Sequence, residues 1–76
     1  MAGKNLRLKA VRVQNAISQA DMARQIGILQ NTYSQKENGY YAFTHPEIIR
    51  ILEILESTYE DIFIKEEKRD YSDARV

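Results

Sequence analysis

The chain has 76 residues, a length that predicts one domain with a small hydrophobic core. It contains no cysteine and a single histidine, His45, which excludes a disulfide framework and leaves too few ligands for the usual zinc sites. No stretch has the composition of a signal peptide or of a membrane-spanning helix, so we expect a cytoplasmic protein with no membrane partner.

The charges are unevenly distributed, although the formal net charge is zero. Residues 1–36 carry six basic residues and one acid, a net charge of +5, whereas residues 37–76 carry ten acids and five basic residues, a net charge of −5. This asymmetry favours a basic half that meets a polyanion. Segregated charges on solvated helix faces would give the same pattern.

Helical periodicity predicts an all-α domain, and the first helix covers about residues 5–14. Its apolar residues fall at helical spacings: Leu6, Leu8, Ala10, Val11 and Val13. Ser18 and Asp21 form a possible capping box for a second helix over 19–26, and Gly27 supplies the left-handed residue that ends it. Met22, Ala23 and Ile26 are its predicted core residues.

Only residues 27–29 separate this helix from a third one over about 30–37, which ends at Asn38-Gly39. Two short helices joined by a tight glycine-containing turn are typical of a helix-turn-helix. Thr44 and Glu47 form a second capping box for a helix over 45–56, and Thr58 caps a fifth. The predicted core stripe of the fourth helix is His45, Ile48, Leu52 and Leu55, and Ile51 is expected on the same side.

The acids of the second half lie on helix faces or in first turns, with no neighbouring nucleophile or general acid. His45 is expected at the core edge in a first helical turn, rather than as a catalyst or ligand. We therefore expect no enzymatic activity, no metal and no cofactor.

The segment from Ser18 to Gly39, SQADMARQIGILQNTYSQKENG, resembles the helix-turn-helix of the lambda-repressor-like family, the Cro and cI type. The matching signals occur in order: Ser18-Gln19, Met22-Ala23, Gly27 and Glu37-Asn38-Gly39. Leu8, Val11 and Arg12 match the family's first helix, and ILEILESTYEDIF resembles its last two. The resemblance covers about residues 6–63.

The resemblance implies a five-helix DNA-binding domain, which we place over residues 1–68. The last residues, 69–76, contain few apolar side chains, so we expect a mobile charged tail there. It implies a sequence-specific transcriptional regulator, a phage or prophage-type repressor, which binds double-stranded DNA as a homodimer on a palindromic operator. No small-molecule effector is evident. The alternative is that the fold serves protein–protein interaction, as an antirepressor, modulator or antitoxin, with the acidic half docking on a partner.

In a helix that enters the major groove, amides suit adenine, because the amide N–H can donate to adenine N7 while the amide oxygen accepts from its N6 amino group. The predicted base-reading residues share one face of the third helix: Gln30, Asn31, Ser34 and Gln35. Tyr33 falls on another side and is expected in the core. Leu29 stands where the family's helix usually has a Ser or Thr cap, and could contact a thymine methyl group.

The predicted phosphate-contacting or buttressing residues are Gln19, Asn38, Tyr40 and Tyr41. The resemblance also pairs Arg12 with Glu37, and a carboxylate at a helix C-terminus, an unfavourable end of the dipole, needs such a cation. Ile54 is expected to point away from the core and, with Phe63 and Ile64, to form a possible dimer patch.

Overall fold

The computed structural model describes residues 5–64, and every element of regular structure in that range is helical. Four α-helices are followed by a π-helical turn: α1 Leu6–Gln14, α2 Gln19–Ile26, α3 Gln30–Glu37, α4 His45–Leu55 and the turn Glu60–Ile64. The predicted all-α class is therefore confirmed. The domain boundary at residue 68 and the tail over 69–76 lie outside the described residues.

Two side-chain caps begin α2 and α4. At α4 the predicted box is complete, because Thr44 Oγ1 accepts from the Glu47 backbone N–H at 3.3 Å and Glu47 Oε1 accepts from the Thr44 N–H at 2.9 Å. At α2, Ser18 Oγ accepts from the Asp21 N–H at 3.0 Å, but Asp21 Oδ1 pairs with Arg24 at 2.6 Å. The prediction of a full box at Ser18 was wrong, since Asp has a shorter side chain than the Glu that usually reaches back.

Glycine ends α2 and α3 as predicted. Gly27 has φ 83° and Gly39 has φ 88°, both in the left-handed region that costs glycine no steric penalty. In each case the next N–H bonds back across the helix end, Ile28 to the Ala23 carbonyl at 3.0 Å and Tyr40 to the Gln35 carbonyl at 2.9 Å. These bonds are those of the Schellman motif, which satisfies carbonyls at a helix end.

The ends of α1 and α4 use the same motif without glycine. Ala16 has φ 59° and Glu56 has φ 52°, and the following N–H groups donate to Arg12 and Leu52 carbonyls at 3.1 Å each. A side chain in the left-handed region costs about 1–2 kcal/mol, so these two turns carry backbone strain. The sequence gives no sign of them, because neither residue type favours this conformation.

The hydrophobic core contains side chains from all four α-helices and from the π-helical turn. The buried apolar residues are Leu8, Val11, Met22, Ala23, Tyr33, Ile51, Leu55 and Ile62. Phe43, in the connector before α4, lies between Tyr33 and Phe63, with ring centroids 5.8 and 6.3 Å apart. Helix α2 packs mainly against α3 and also against α4, whereas α1 packs against α3 and the π-helical turn.

Two expectations about side-chain orientation were wrong, those for His45 and Ile54. His45 is exposed rather than at the core edge, and Ile51 takes the central buried position in α4. Ile54 packs against the core instead of pointing away from it. In α1, Leu6 and Val13 are exposed, because the helix turns Leu8 and Val11 inward.

No helix within residues 5–64 combines the length and the apolar character needed to cross a bilayer.

The strained turn at Ala16 predicts that Ala16→Gly stabilises the domain by about 0.5–1 kcal/mol, because the left-handed penalty exceeds the extra unfolded-state entropy of glycine. The control Ala10→Gly, at an exposed position inside α1, should destabilise by about 1 kcal/mol. Urea unfolding midpoints of both variants measure this difference. Destabilisation by both substitutions would show that the turn is not strained.

Candidate nucleic-acid interface

Helix α3 presents an uncharged polar face to solvent. Gln30, Asn31 and Gln35 are exposed, and Tyr33 on the opposite side is fully buried. Ser34 lies at the border, half-buried, where Asn38 Nδ2 donates to its hydroxyl at 3.5 Å. Tyr33 is the only large apolar side chain in α3, and its burial determines which residues face outward.

The amides of this face have no hydrogen-bond partner among the residues that the structure describes. The side chains of Gln30, Asn31 and Gln35 make none with any other residue of 5–64. Each amide offers two donors and an acceptor that takes two bonds. The structure therefore brings three of the four predicted base-reading residues together with their hydrogen-bonding capacity unused, and places Ser34 at the edge.

An apolar side chain stands at the leading end of the same face. Leu29 is the N-cap of α3, has extended backbone geometry, makes no capping hydrogen bond and is 76% exposed. The preceding residue, Ile28, turns inward and packs against the core. As a result, Leu29 projects beside Gln30 and is not among the described side chains that pack against the core.

The residues after α3 extend this surface. Asn38 is exposed, and Tyr40 and Tyr41 are 76% and 61% exposed. Gly39 reverses the chain directly after α3, which leaves the two rings outside the core. The structure places these predicted phosphate-contacting residues at the C-terminal end of α3, at the opposite end from Leu29.

The outer face of α3 carries no free cation. Lys36 is the helix's basic residue, and its Nζ contacts both Glu47 carboxylate oxygens, at 2.7 and 2.9 Å. Both side chains are only 12% exposed, so this ion pair is an internal contact between α3 and α4. Arg24 on α2 likewise pairs with Asp21, although at an exposed position.

The carboxylate of Glu37 anchors α3 to two other helices. Arg12 of α1 binds it in a bidentate way, Nε to Oε2 at 2.9 Å and Nη2 to Oε1 at 3.2 Å. Gln19 of α2 donates Nε2 to Oε1 at 2.9 Å, and Tyr33 donates its hydroxyl to Oε2 at 2.7 Å. Gln19, predicted to contact phosphate or to buttress, thus has the buttressing contact.

Burial and hydrogen bonding shift the pKa values of this network. Burial alone would raise the pKa of Glu37, but the bonds from Arg12, Gln19 and Tyr33 outweigh it and lower that pKa below its ordinary value. The hydrogen bond to Glu37 raises the pKa of Arg12. Burial, followed by the contact with the Glu37 carboxylate, raises the pKa of Tyr33. The pair stays charged and the phenol stays protonated at neutral pH.

The predicted dimer-patch residues are partly buried. Ile54 and Phe63 pack against the core, and Phe63 also stacks on Tyr59 with ring centroids 5.3 Å apart. Phe63 lines an open groove of about 220 Å³ together with Tyr41, Phe43 and Ile48. Ile64 is half-buried at the end of the described range.

Two contacts of this region were not predicted from the sequence. The Tyr33–Glu37 bond joins residues four apart, a spacing that places both on one helix face and could have been noticed. The Lys36–Glu47 pair has no such local signal, because it depends on how α4 docks against α3.

The buried pair predicts a large stability difference between two arginines. Arg12→Ala leaves the Glu37 carboxylate buried without its cation and should cost about 3–5 kcal/mol. The control Arg24→Ala removes an exposed partner of Asp21 and should cost less than about 1 kcal/mol. Thermal melts of both variants test the comparison, and similar melting temperatures would rule out a buried anchor.

The Lys36–Glu47 pair predicts acid sensitivity. Burial would raise the pKa of Glu47, but the bond from Lys36 and the Thr44 N–H lower it. A carboxylate with a lowered folded-state pKa stabilises the fold above its unfolded pKa of about 4.3, and this stability is lost as the pH falls through the folded value. Glu47→Gln can keep the helix cap but loses the ion pair, so we expect a cost of about 1–3 kcal/mol at pH 7.

The same variant should show a flatter stability profile between about pH 5 and pH 3, since one of the groups that take up a proton is gone. Lys36→Met, which keeps an apolar stem, should flatten the profile in the same way. Urea midpoints across this range measure it. Profiles parallel to that of the wild type would show that the pair contributes nothing to acid sensitivity.

Comparison with known proteins assigns the chain to a family. Residues 5–68 match the family described as the helix-turn-helix domain, a span that includes all four α-helices and the π-helical turn. A search of curated proteins gave no match. The chain belongs to the helix-turn-helix domain family, whose fold is typical of DNA-binding regulators.

Proposed function

We propose that this chain is a sequence-specific DNA-binding transcriptional regulator of the lambda-repressor-like type, a repressor of the phage or prophage kind. One observation carries the proposal: the exposed face of α3 holds Gln30, Asn31 and Gln35 with no hydrogen-bond partner among the described residues. A merely solvated helix surface is usually built from strong helix formers such as Glu and Lys. Amides instead provide a donor and an acceptor in one side chain, which is the pairing that an adenine edge requires.

The dimensions and chemistry of B-DNA suit this face. The major groove admits an α-helix, and the N-terminal residues of a recognition helix contact base edges. Gln and Asn can donate to adenine N7 and accept from its N6 amino group in a bidentate contact. Helix α3 is held at its C-terminal end through Glu37, so its N-terminal half is the part available to the groove.

The neighbouring residues supply candidates for phosphate contacts, which position a protein on the duplex without reading its sequence. Gln19 uses one amide N–H for Glu37 and has a second that can donate to a phosphate. Asn38, Tyr40 and Tyr41 offer polar groups at the other end of α3. In this arrangement Gln19 both supports the recognition helix and fixes its register.

Dimerisation and location in the cell form part of the proposal. A homodimer would place two recognition helices about 34 Å apart, one turn of DNA, and would read a palindromic operator. The partly buried residues Ile54, Phe63 and Ile64 are the proposed contact between subunits. A regulator of this kind acts in the cytoplasm, where its operator lies.

A protein-interaction role is the second candidate, and a specific observation favours it. Leu29, Tyr40 and Tyr41 are exposed large apolar side chains around a face without a cation, a composition that a protein partner also fits. An antirepressor, modulator or antitoxin would use this surface while the acidic half of the chain docks elsewhere on the partner.

Selection of bound oligonucleotides from a random duplex pool distinguishes the two roles. The wild type should enrich a motif of two inverted half-sites. Gln30→Ala or Gln35→Ala should relax the preference at one or two base pairs per half-site, because a good bidentate contact discriminates by about 1–3 kcal/mol. Gln19→Ala should weaken binding while the preferred sequence stays the same. Gln14→Ala, at an exposed glutamine on α1, is the matched control and should change neither.

If the wild type enriches no motif, the regulator proposal fails and the protein-interaction role takes its place. If a motif appears that survives substitution of the amides, α3 is not the reading element. Enrichment of a single half-site without its inverted copy would contradict the palindromic dimer alone.

A further inference from the structure

Leu29 is an exposed aliphatic residue at the N-terminal end of the recognition surface, and it does not pack against the core. Its side chain is 76% exposed and makes no capping bond, although a Ser, Thr, Asp or Asn at this position would accept a backbone N–H of α3. Ile28 beside it already provides the core contact of the turn. The fold therefore gives no reason for leucine at position 29.

The position of Leu29 indicates what it could contact. It immediately precedes Gln30 and Asn31, at the end of α3 whose residues reach base edges when such a helix enters the major groove. The apolar group that base pairs present in that groove is the C5-methyl group of thymine. An exposed leucine next to two amides therefore matches an A·T pair. The leucine can contact the methyl group of thymine, and the amides can bond to the N6 and N7 of adenine.

The charge distribution of α3 also indicates a preference for A·T pairs. Guanine presents two acceptors, N7 and O6, and is read best by the fork of Arg or by Lys. The basic residue of α3, Lys36, is held by Glu47 at 2.7 Å on the side that faces α4. Among the described residues of the exposed face, Leu29, Gln30, Asn31 and Gln35 carry no charge at all. The face is thus poorly matched to guanine and well matched to adenine and thymine.

We propose that Leu29 is a specificity-determining residue that reads the C5-methyl group of a thymine, so that the leading end of α3 selects A·T base pairs. The inference rests on the proposed function, since it requires α3 to enter the major groove. It adds which bases the helix prefers and assigns the reading of one methyl group to a side chain that the fold itself does not need.

The test uses the duplex selected by the wild-type protein, resynthesised with each thymine in turn replaced by deoxyuridine, which removes the methyl group and leaves every hydrogen-bonding edge in place. Dissociation constants are measured at one fixed salt concentration, because phosphate contacts make affinity salt-dependent. One thymine per half-site should be sensitive, with a loss of about fourfold, the value expected for one buried methyl-sized group.

Leu29→Ala should bind the thymine duplex more weakly and should show no further loss with deoxyuridine at that position. Leu29→Ser is the second variant. Its hydroxyl can cap α3, so its urea midpoint should be equal to or higher than that of the wild type, yet it should also lose the methyl dependence. Loss of the methyl effect in a variant that is at least as stable cannot be attributed to unfolding. Val13→Ala, at an exposed apolar residue of α1, should keep the fourfold effect.

A duplex with a 5-methylcytosine·guanine pair at the sensitive position separates the methyl group from the adenine. It keeps the methyl group but presents guanine to the amides, so it should bind more weakly than the thymine duplex. Equal binding would overturn the selection of A·T pairs.

The inference is overturned if no thymine is sensitive, or if Leu29→Ala and Leu29→Ser keep the full methyl effect. In those cases a selected motif still supports the proposed function, and only the role of Leu29 fails. If the wild type selects no motif, the proposed function and this inference fail together.

Discussion

The buried carboxylate of Glu37 is the interaction on which the arrangement of the first three helices depends. It is 2% exposed and accepts hydrogen bonds from Arg12 on α1, Gln19 on α2 and Tyr33 on α3 itself. A buried charge is tolerated only when it is paired and hydrogen-bonded, and it sits at the helix end that repels anions. The three helices must therefore hold one relative geometry, because any other leaves the charge without its partners.

The same anchor determines which side of α3 faces outward. Successive residues of an α-helix turn by about 100°, so Tyr33 and Glu37, four residues apart, face inward together. Asn31 and Gln35 then lie roughly opposite, and Ser34 falls at the border, in agreement with its partial burial. Gln30 is exposed because it begins the helix. The free amide face is thus a geometric consequence of the buried Tyr33–Glu37 edge.

Local signals predicted most helix ends, and tertiary contacts account for what they missed. Ser18, Thr44, Gly27 and Gly39 act through their own chemistry within one turn of the chain, so their roles were readable. Ala16 and Glu56 adopt left-handed geometry because the packing of the following segments requires the turn. Neither residue type favours this geometry, so it could not be predicted from the sequence. The Lys36–Glu47 pair and the inward position of Ile54 depend on how α4 docks against the rest. The exposure of the amides on α3 could be predicted from the sequence, because a buried Tyr33 turns them outward. The Lys36–Glu47 ion pair could not be predicted in this way.

The Lys36–Glu47 ion pair affects how strongly a DNA-binding surface on α3 would bind random DNA relative to a specific site. Phosphate neutralisation by Lys and Arg supplies most non-specific affinity, through the release of counterions. Here the cation of α3 faces α4, and Arg12 is buried against Glu37, so neither is free to meet a phosphate. A reading face that lacks cations gains little on random DNA, and its discrimination rests on base edges met in one fixed orientation. The rigid attachment of α3 through Glu37 then contributes to selectivity as well as to stability. A misplaced amide loses its bidentate contact with a base, whereas a flexible Lys or Arg keeps its attraction to phosphate in many positions.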